Sequence, residues 1–155
     1  MRRIKKFLTI CAILFISVCA KAQENNNNDS IWNDVMDAII QVESRGNAKA
    51  VDRSGTCVGI LQMKKCLVDE TNNILRRNKD ERRYTYSDRY NPQKSKEMFI
   101  ILQNHFNKEQ NIEKAIRSWN AGFYYEKAYG WKSLQRRTKS YYEKVMKYYN
   151  SKGGN

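Results

Sequence analysis

The chain has 155 residues, 29 basic and 16 acidic, for a formal charge of +13. That length admits one domain and little more. One histidine, His105, and no Cys-x-x-Cys among four cysteines leave no zinc constellation, and no metal or cofactor is implied.

The N-terminus reads as an export signal. Arg2, Arg3, Lys5 and Lys6 form a basic region. Phe7 to Ala20 is apolar but shorter than a bilayer-spanning helix, and Ala20-Lys21-Ala22 places small residues where a signal peptidase reads. Cleavage is expected after Ala22, leaving a periplasmic or secreted protein with no stable membrane anchor. An uncleaved anchor is the alternative, and Val18 disfavours a lipoprotein cut before Cys19. Residues 23–30, Gln-Glu-Asn-Asn-Asn-Asn-Asp-Ser, have nothing to bury and read as a disordered tether. The remaining chain suffices for one modest core.

Loss of residues 1–22 leaves 24 basic against 16 acidic residues, a net of +8. A basic exported protein is drawn to anionic surfaces, whether wall polymers, lipid head groups or nucleic acid. Export argues against nucleic acid, and a solvated basic surface that merely keeps the chain soluble is the other reading. Arg76-Arg77 and Arg82-Arg83, near Tyr84 and Tyr86, are the best support for a nucleic-acid module, but read rather as a surface flanking a groove. Cys11 and Cys19 leave with the signal. Cys57 and Cys66, nine positions apart, are expected to form a disulfide in an oxidising compartment, with two buried free thiols as the alternative. So short a loop, closed without strain, would contribute roughly 2–3 kcal/mol.

The periodicities downstream are helical, and no stretch alternates convincingly as a strand. Asp29 or Ser30 can cap a helix running to about Glu43, with Ile31, Val35, Ile39 and Val42 on one face. Gly46 and Asn47 end it. A polar loop leads to a tight turn, Gly59 to Met63, and into a helix ending near Arg77, with Cys66, Leu67, Ile74 and Leu75 as its apolar positions. Asn78 to Asn91 is charged and irregular. Asn91-Pro92 then supplies a capping side chain and a proline at the first helical position. Met98, Phe99, Leu102 and Phe106 line that helix. Asn111 caps the next, with Ile112, Ala115, Ile116 and Trp119 inward, and Gly122 stops it. After a Tyr-rich connection, Thr138 to about Asn150 forms the last helix, and residues 151–155 fray. The expectation is a single all-α domain over residues 31–150.

Glu43 is the candidate for acid/base chemistry by its position. It stands at the end of an apolar helix, where a carboxyl can stay protonated if its pocket is apolar and partly closed. A glutamate at that place is otherwise a solvated residue, since helix C-termini do not favour acids.

Three segments occur in order: Glu43-Ser44-Arg45-Gly46-Asn47, Val58-Gly59-Ile60-Leu61-Gln62 and Trp119-Asn120-Ala121-Gly122. Together they resemble the soluble lytic transglycosylases, glycoside hydrolase family 23 of the lysozyme-like superfamily, from about Ile31 to Tyr149. The resemblance implies a small lysozyme-like domain with a glycan-binding cleft, acting on peptidoglycan glycan strands. It also implies that Glu43 is the sole catalytic acid/base. Ser44, Gln62, Met63, Trp119, Asn120 and Tyr141 would be substrate-binding, and Thr138-x-x-Tyr141 matches a late Thr-x-x-Tyr whose tyrosine points at the glutamate. Trp119 replaces the family's usual tyrosine, Arg137 the acid that often precedes the late threonine, and Ala48 a proline.

In this family one glutamate protonates the bond between N-acetylmuramic acid and N-acetylglucosamine. It then helps deprotonate the muramic 6-hydroxyl, closing a 1,6-anhydro ring. Asp52, the one acid between Glu43 and Gly59, is a possible second carboxylate, as in the related goose-type lysozymes, which use water instead. A loop-capping aspartate is its other reading. A further alternative is a non-catalytic peptidoglycan-binding module of a secretion or conjugation apparatus. A compact domain on a short tether suits wall turnover, gap-making for a secretion or conjugation channel, and attack on rival cells alike.

Overall fold

The structure, a computed structural model, describes residues 32–151. The signal, the tether, the proposed cap at Asp29 or Ser30, Ile31 and residues 152–155 lie outside the described residues. The chain divides into two units, Met1–Asn33 and Asp34–Asn155, and of the first only the opening residues of one helix are described.

The described residues are all-α. The helices are α1 (32–43), α2 (Lys65–Arg77), α3 (Pro92–Phe106), α4 (Ile112–Ala121), α5 (Tyr125–Tyr129), α6 (Trp131–Arg137) and α7 (Lys139–Ser151). Extended pairing among them is limited to isolated antiparallel bridges, Val51 with Val58 and Val58 with Met63. Local chemistry sets the ends. The Asn91 and Asn111 side chains accept from the backbone N–H groups of Lys94 and Lys114, at 3.1 and 2.9 Å, satisfying donors that a helix start leaves orphaned. Gly122 ends α4 at φ +97°, in the left-handed region.

Two expectations need correction. The Tyr-rich connection is helical, folding as α5 and α6. The charged stretch before Asn91 contains a 3-10 helix, Tyr86–Tyr90, whose start is held by the Asp88 carboxylate accepting from the Thr85 N–H at 2.7 Å.

The core of the larger unit collects Val35, Met36 and Ile39 from α1, Met98, Phe99 and Leu102 from α3, and Ala115, Ile116 and Trp119 from α4. In α2 the buried positions are Val68, Thr71, Ile74 and Leu75. Ile74 and Leu75 are buried as the pattern suggested, but Cys66 is exposed and Leu67 half-buried, and Val68 and Thr71 turn inward at that end instead.

Three elements grip the turn Gly59–Met63. The Ser44 hydroxyl, at the end of α1, donates to the Ile60 carbonyl at 2.7 Å. Trp119 Nε1, from α4, donates to the Leu61 carbonyl at 3.2 Å. The buried Arg89 guanidinium, from the 3-10 helix, donates to the carbonyls of Thr56 and Met63 at 3.2 and 3.0 Å. The backbone of Arg89 presses on the same turn, since a Cβ at Gly59 would stand 1.9 Å from its carbonyl oxygen.

A second buried arginine sets the start of α7. Arg117 donates to Glu113 at 2.7 Å, to the Gln135 carbonyl at 3.1 Å and to the Thr138 hydroxyl at 3.0 Å. Its guanidinium also lies 4.1 Å from the centre of the Tyr142 ring. One side chain thus joins α4 to the α6–α7 junction.

Substitutions at these positions test the grips. Gly59→Ala combines a left-handed φ of +78° with a backbone clash, and should cost ~2–5 kcal/mol in urea unfolding. Gly46→Ala, equally left-handed at +83° but in open space, should cost only about 1 kcal/mol. Arg117→Met should destabilise by about 2–3 kcal/mol, because it leaves Thr138 and the Gln135 carbonyl short of a donor. Arg117→Lys should recover only part of that loss, since an ammonium cannot reproduce the guanidinium fork. Equal stability of Arg117→Met and the parent protein would refute this role.

Candidate active site

Glu43 is the last residue of α1, and it lines a cavity of about 350 Å³ together with Asp52, Gln62, Trp119 and Asn120. Its carboxylate oxygen Oε1 accepts from the Tyr141 hydroxyl at 2.6 Å. Burial pushes the carboxyl up from its ordinary 4.5, the Tyr141 hydrogen bond pulls the other way, and burial prevails. Tyr141 is raised far above the usual phenol range, by burial first and then by the charge of Glu43. It therefore stays a donor at every pH relevant to the protein. A carboxyl held by a permanent donor, in a pocket that favours its neutral form, is equipped to give up a proton and take it back.

Asp52 lines the same cavity under opposite forces. Its Oδ1 accepts from the backbone N–H groups of Thr56 and Cys57 at 2.7 and 2.9 Å. Its Oδ2 accepts from the Ser54 hydroxyl at 2.6 Å. These donors, the Ser54 hydroxyl foremost, lower the carboxyl to about 2. Asp52 caps its own loop, and a carboxylate so stabilised is a poor base.

The other expected residues separate into two groups. Trp119 and Asn120 line the cavity: Asn120 is exposed, while Trp119 is 8 % exposed and faces the core as well. Gln62 lines it too. Its carboxamide nitrogen donates to the carbonyls of Gly59 and Ala50, at 3.0 and 3.3 Å, and steadies the turn on which it sits. Ser44 and Met63 are not among the lining residues. The Ser44 hydroxyl faces the Ile60 carbonyl, and Met63 is fully buried while its backbone pairs with Val58. Both shape the cleft without lining it. Tyr141 reaches Glu43 without lining the open cavity either.

The expected Cys57–Cys66 disulfide is not formed: both are free thiols, Cys57 half-buried and Cys66 exposed. Cys57 is fixed by its N–H bond to Asp52, and Cys66 sits in the first turn of α2, so separate elements hold the two thiols on the same cavity wall. The arginines expected to flank the groove have local partners. Arg77 pairs with Glu70 at 3.0 Å and Arg82 with Asp80 at 2.7 Å, while Arg76 bonds Asn73. Arg82 also lines a different cavity, with His105 and Lys108.

Sequence reasoning missed Lys64, Leu67 and Phe123 on the cavity wall and the two buried arginines behind it. Arg117 left a signal, because Glu113 and Arg117 stand at the i, i+4 spacing of a helical ion pair. Arg89 left none, because its partners are carbonyls brought near only by the fold.

No curated protein and no solved structure matches the chain. A family model does, the Transglycosylase SLT domain, over residues 20–145. The matched span holds Glu43, the turn gripped by α1, α4 and the 3-10 helix, the Trp-Asn-Ala-Gly segment and Tyr141. The chain belongs to the SLT transglycosylase domain family.

Proposed function

We propose that the protein is a peptidoglycan lytic transglycosylase. It cleaves the β-1,4 bond between N-acetylmuramic acid and N-acetylglucosamine, with Glu43 as sole acid/base and a 1,6-anhydromuramic product. Placement in glycoside hydrolase family 23, and export through the N-terminal signal, belong to the same reading. The observation that carries it is the half-buried Glu43 carboxyl, raised by desolvation and held at 2.6 Å by Tyr141 on the wall of an open cavity.

Protonated Glu43 gives its proton to the glycosidic oxygen, which leaves as the 4-hydroxyl of the departing sugar. The substrate's N-acetyl group stabilises the electron-poor anomeric carbon. The Glu43 carboxylate, still bonded by Tyr141, then takes the proton of the muramic 6-hydroxyl as that oxygen closes on the anomeric carbon. Glu43 ends protonated and no water is consumed. The raised pKa serves the first step, and the Tyr141 bond, which favours the charged form, keeps the carboxylate accessible for the second.

Asp52 argues against the hydrolytic alternative within this reading. Activating water would need a basic carboxylate, and Asp52 is lowered to about 2 by donors from its own loop.

Glu43→Gln tests both the chemistry and the electrostatics. Release of soluble muropeptides from purified cell walls should fall by at least about a hundredfold, and unchanged turnover would sink the proposal. Mass spectrometry of the parent enzyme's products should show anhydromuropeptides, one water lighter than hydrolytic ones.

The same variant should be the more stable protein at neutral pH. The folded-state pKa of Glu43 lies above its unfolded value near 4.5. The folded state therefore holds the proton longer, and raising the pH from about 4.5 through the folded pKa removes stability. A neutral carboxamide has no such loss, so Tm should rise by a few degrees at pH 7, at about 4 °C per kcal/mol, and the gain should vanish below about pH 4. A gain of the same size at both pH values would show that desolvation of the charge is not its cause.

A further inference from the structure

The cavity that holds Glu43 has one cation among its lining residues, Lys64, and the proposed chemistry does not use it. Its place follows from the turn. Val58 and Met63 are paired antiparallel through two backbone bonds, 3.2 and 2.9 Å, and both side chains are buried. Successive side chains of an extended pair point to opposite faces. The next pair outward, Cys57 and Lys64, therefore faces the cleft, and both residues line it. Lys65 begins α2, and its ammonium lies 5.2 Å from the centre of the Tyr86 ring instead. Two adjacent lysines thus diverge, and the first of them lines the site.

Lys64 is exposed, and its ammonium has no hydrogen-bond or ion-pair partner among the described residues. The two carboxyls of the cavity do not engage it. Asp52 is satisfied by Ser54, Thr56 and Cys57. Burial and the Tyr141 bond are the forces on Glu43. The other cations nearby are placed elsewhere. Arg45 and Arg53 are exposed and do not line the cavity, and Arg89 is buried against the carbonyls of Thr56, Met63 and Tyr86. An unpaired cation on the wall of a cleft is complementary to an anionic group on what the cleft binds.

We infer that Lys64 is a specificity residue that pairs with the free lactyl carboxylate of N-acetylmuramic acid, so that the preferred substrate is a glycan strand stripped of its peptide stems. The inference rests on the reading that Glu43 cleaves at a muramic residue. The 3-O-lactyl group is borne by the ring that is cut, two carbons from the anomeric carbon on which Glu43 acts. It therefore enters the same cavity. In a stem-bearing strand the lactyl carboxyl is an amide and offers an ammonium no charge. The carboxylates of the stem itself lie at least one residue further out, ~3.5 Å or more, from a cavity of about 350 Å³. The free carboxylate arises when water cleaves that amide: the lactyl carbonyl carbon takes the hydroxyl, and the stem leaves as an amine. A hydrolysis of this class must therefore precede the step at Glu43.

The test compares glycan strands that carry their stems with the same strands stripped by an amide hydrolase. The parent enzyme should show a kcat/KM about five- to tenfold higher on the stripped strands, the contribution of one charge-assisted pair in a cleft open to solvent. Lys64→Met should bring that ratio to about one, mainly through KM. Lys64→Arg, which keeps the charge, should retain most of it, and added salt should shrink it. Circular dichroism and Tm establish that each variant is folded. The inference is overturned if the parent does not distinguish the strands or if the ratio survives in Lys64→Met. It is also overturned if Lys64→Met loses activity on stem-bearing strands alone, which would assign the ammonium to a stem carboxylate. Cleavage of both strands without a preference leaves the catalytic reading standing. If the parent cleaves neither strand, the same ratio is read from binding affinities. A Lys64-dependent preference for the stripped strand then carries the inference without the catalysis, and its absence overturns it.

Discussion

Tyr141 and Glu43 stand 98 positions apart in the chain and 2.6 Å apart in space. The bond between them ties the last helix to the end of the first described one, and its length must be kept within a few tenths of an ångström for the carboxyl to remain oriented. Much of the surrounding structure acts on one partner or the other. Arg117 holds Thr138, whose carbonyl accepts the Tyr142 N–H at 2.9 Å and opens α7 beside Tyr141. At the other end, the Ser44 hydroxyl fixes the residue after Glu43 to the Gly59–Met63 turn. The site is a junction of helix ends, and each end is pinned by a polar side chain whose partner comes from a different element.

The departures from the family pattern fit that arrangement. Arg137 stands where an acid often precedes the late threonine. It is exposed, and its guanidinium lies 5.2 Å from the Tyr125 ring centre, outside the Thr138 network. The threonine is gripped instead from α4 by Arg117, which carries its own carboxylate in Glu113. Trp119 in place of tyrosine loses a hydroxyl, and its indole N–H is directed to the Leu61 carbonyl. In both places a polar contact is made within the protein. The α4 helix therefore does two structural jobs at once, holding the turn that bears Gln62 and the junction that bears Tyr141.

The legible part of this fold is the part written in local chemistry. Asn91-Pro92, Asn111 and Gly122 act on their own neighbours, so the ends of α3 and α4 follow from residue type. Glu43, Asn120 and Tyr141 were found through motif order, which encodes the site without stating its geometry. What was not legible depends on direction and distance. Ser44 follows the acid in the chain, but the backbone turns at Arg45, φ +53°, and its hydroxyl faces the protein. Met63 follows Gln62, and the turn sends one to the core and the other to the cleft. The role of Arg89 does not show in the sequence because carbonyls gather around it only in the fold, and the Glu113–Arg117 spacing shows an ion pair but not the Gln135 carbonyl and Thr138 hydroxyl that Arg117 also holds. The helices α5 and α6 are too short, at five and seven residues, for a 3.6-residue period to show.

Asp52 and Glu43 share one cavity, and their environments drive them apart: one carboxyl raised by burial, the other lowered to about 2 by hydrogen bonds from its own loop. For Asp52 to act as a base it would have to release donors from Ser54, Thr56 and Cys57. Those donors shape the loop between α1 and the turn. The Asp52 N–H is itself bonded to the Cys57 carbonyl at 3.0 Å, and the Gly59 N–H to the Ala50 carbonyl at 2.8 Å. Freeing the carboxylate would thus loosen the loop that lines the cavity beside Glu43. Water activation by Asp52 would come at the expense of the loop contacts beside Glu43. In the proposed transglycosylase reading a sugar hydroxyl in the cleft meets no such conflict, since the base there is the glutamate that has just given up its proton.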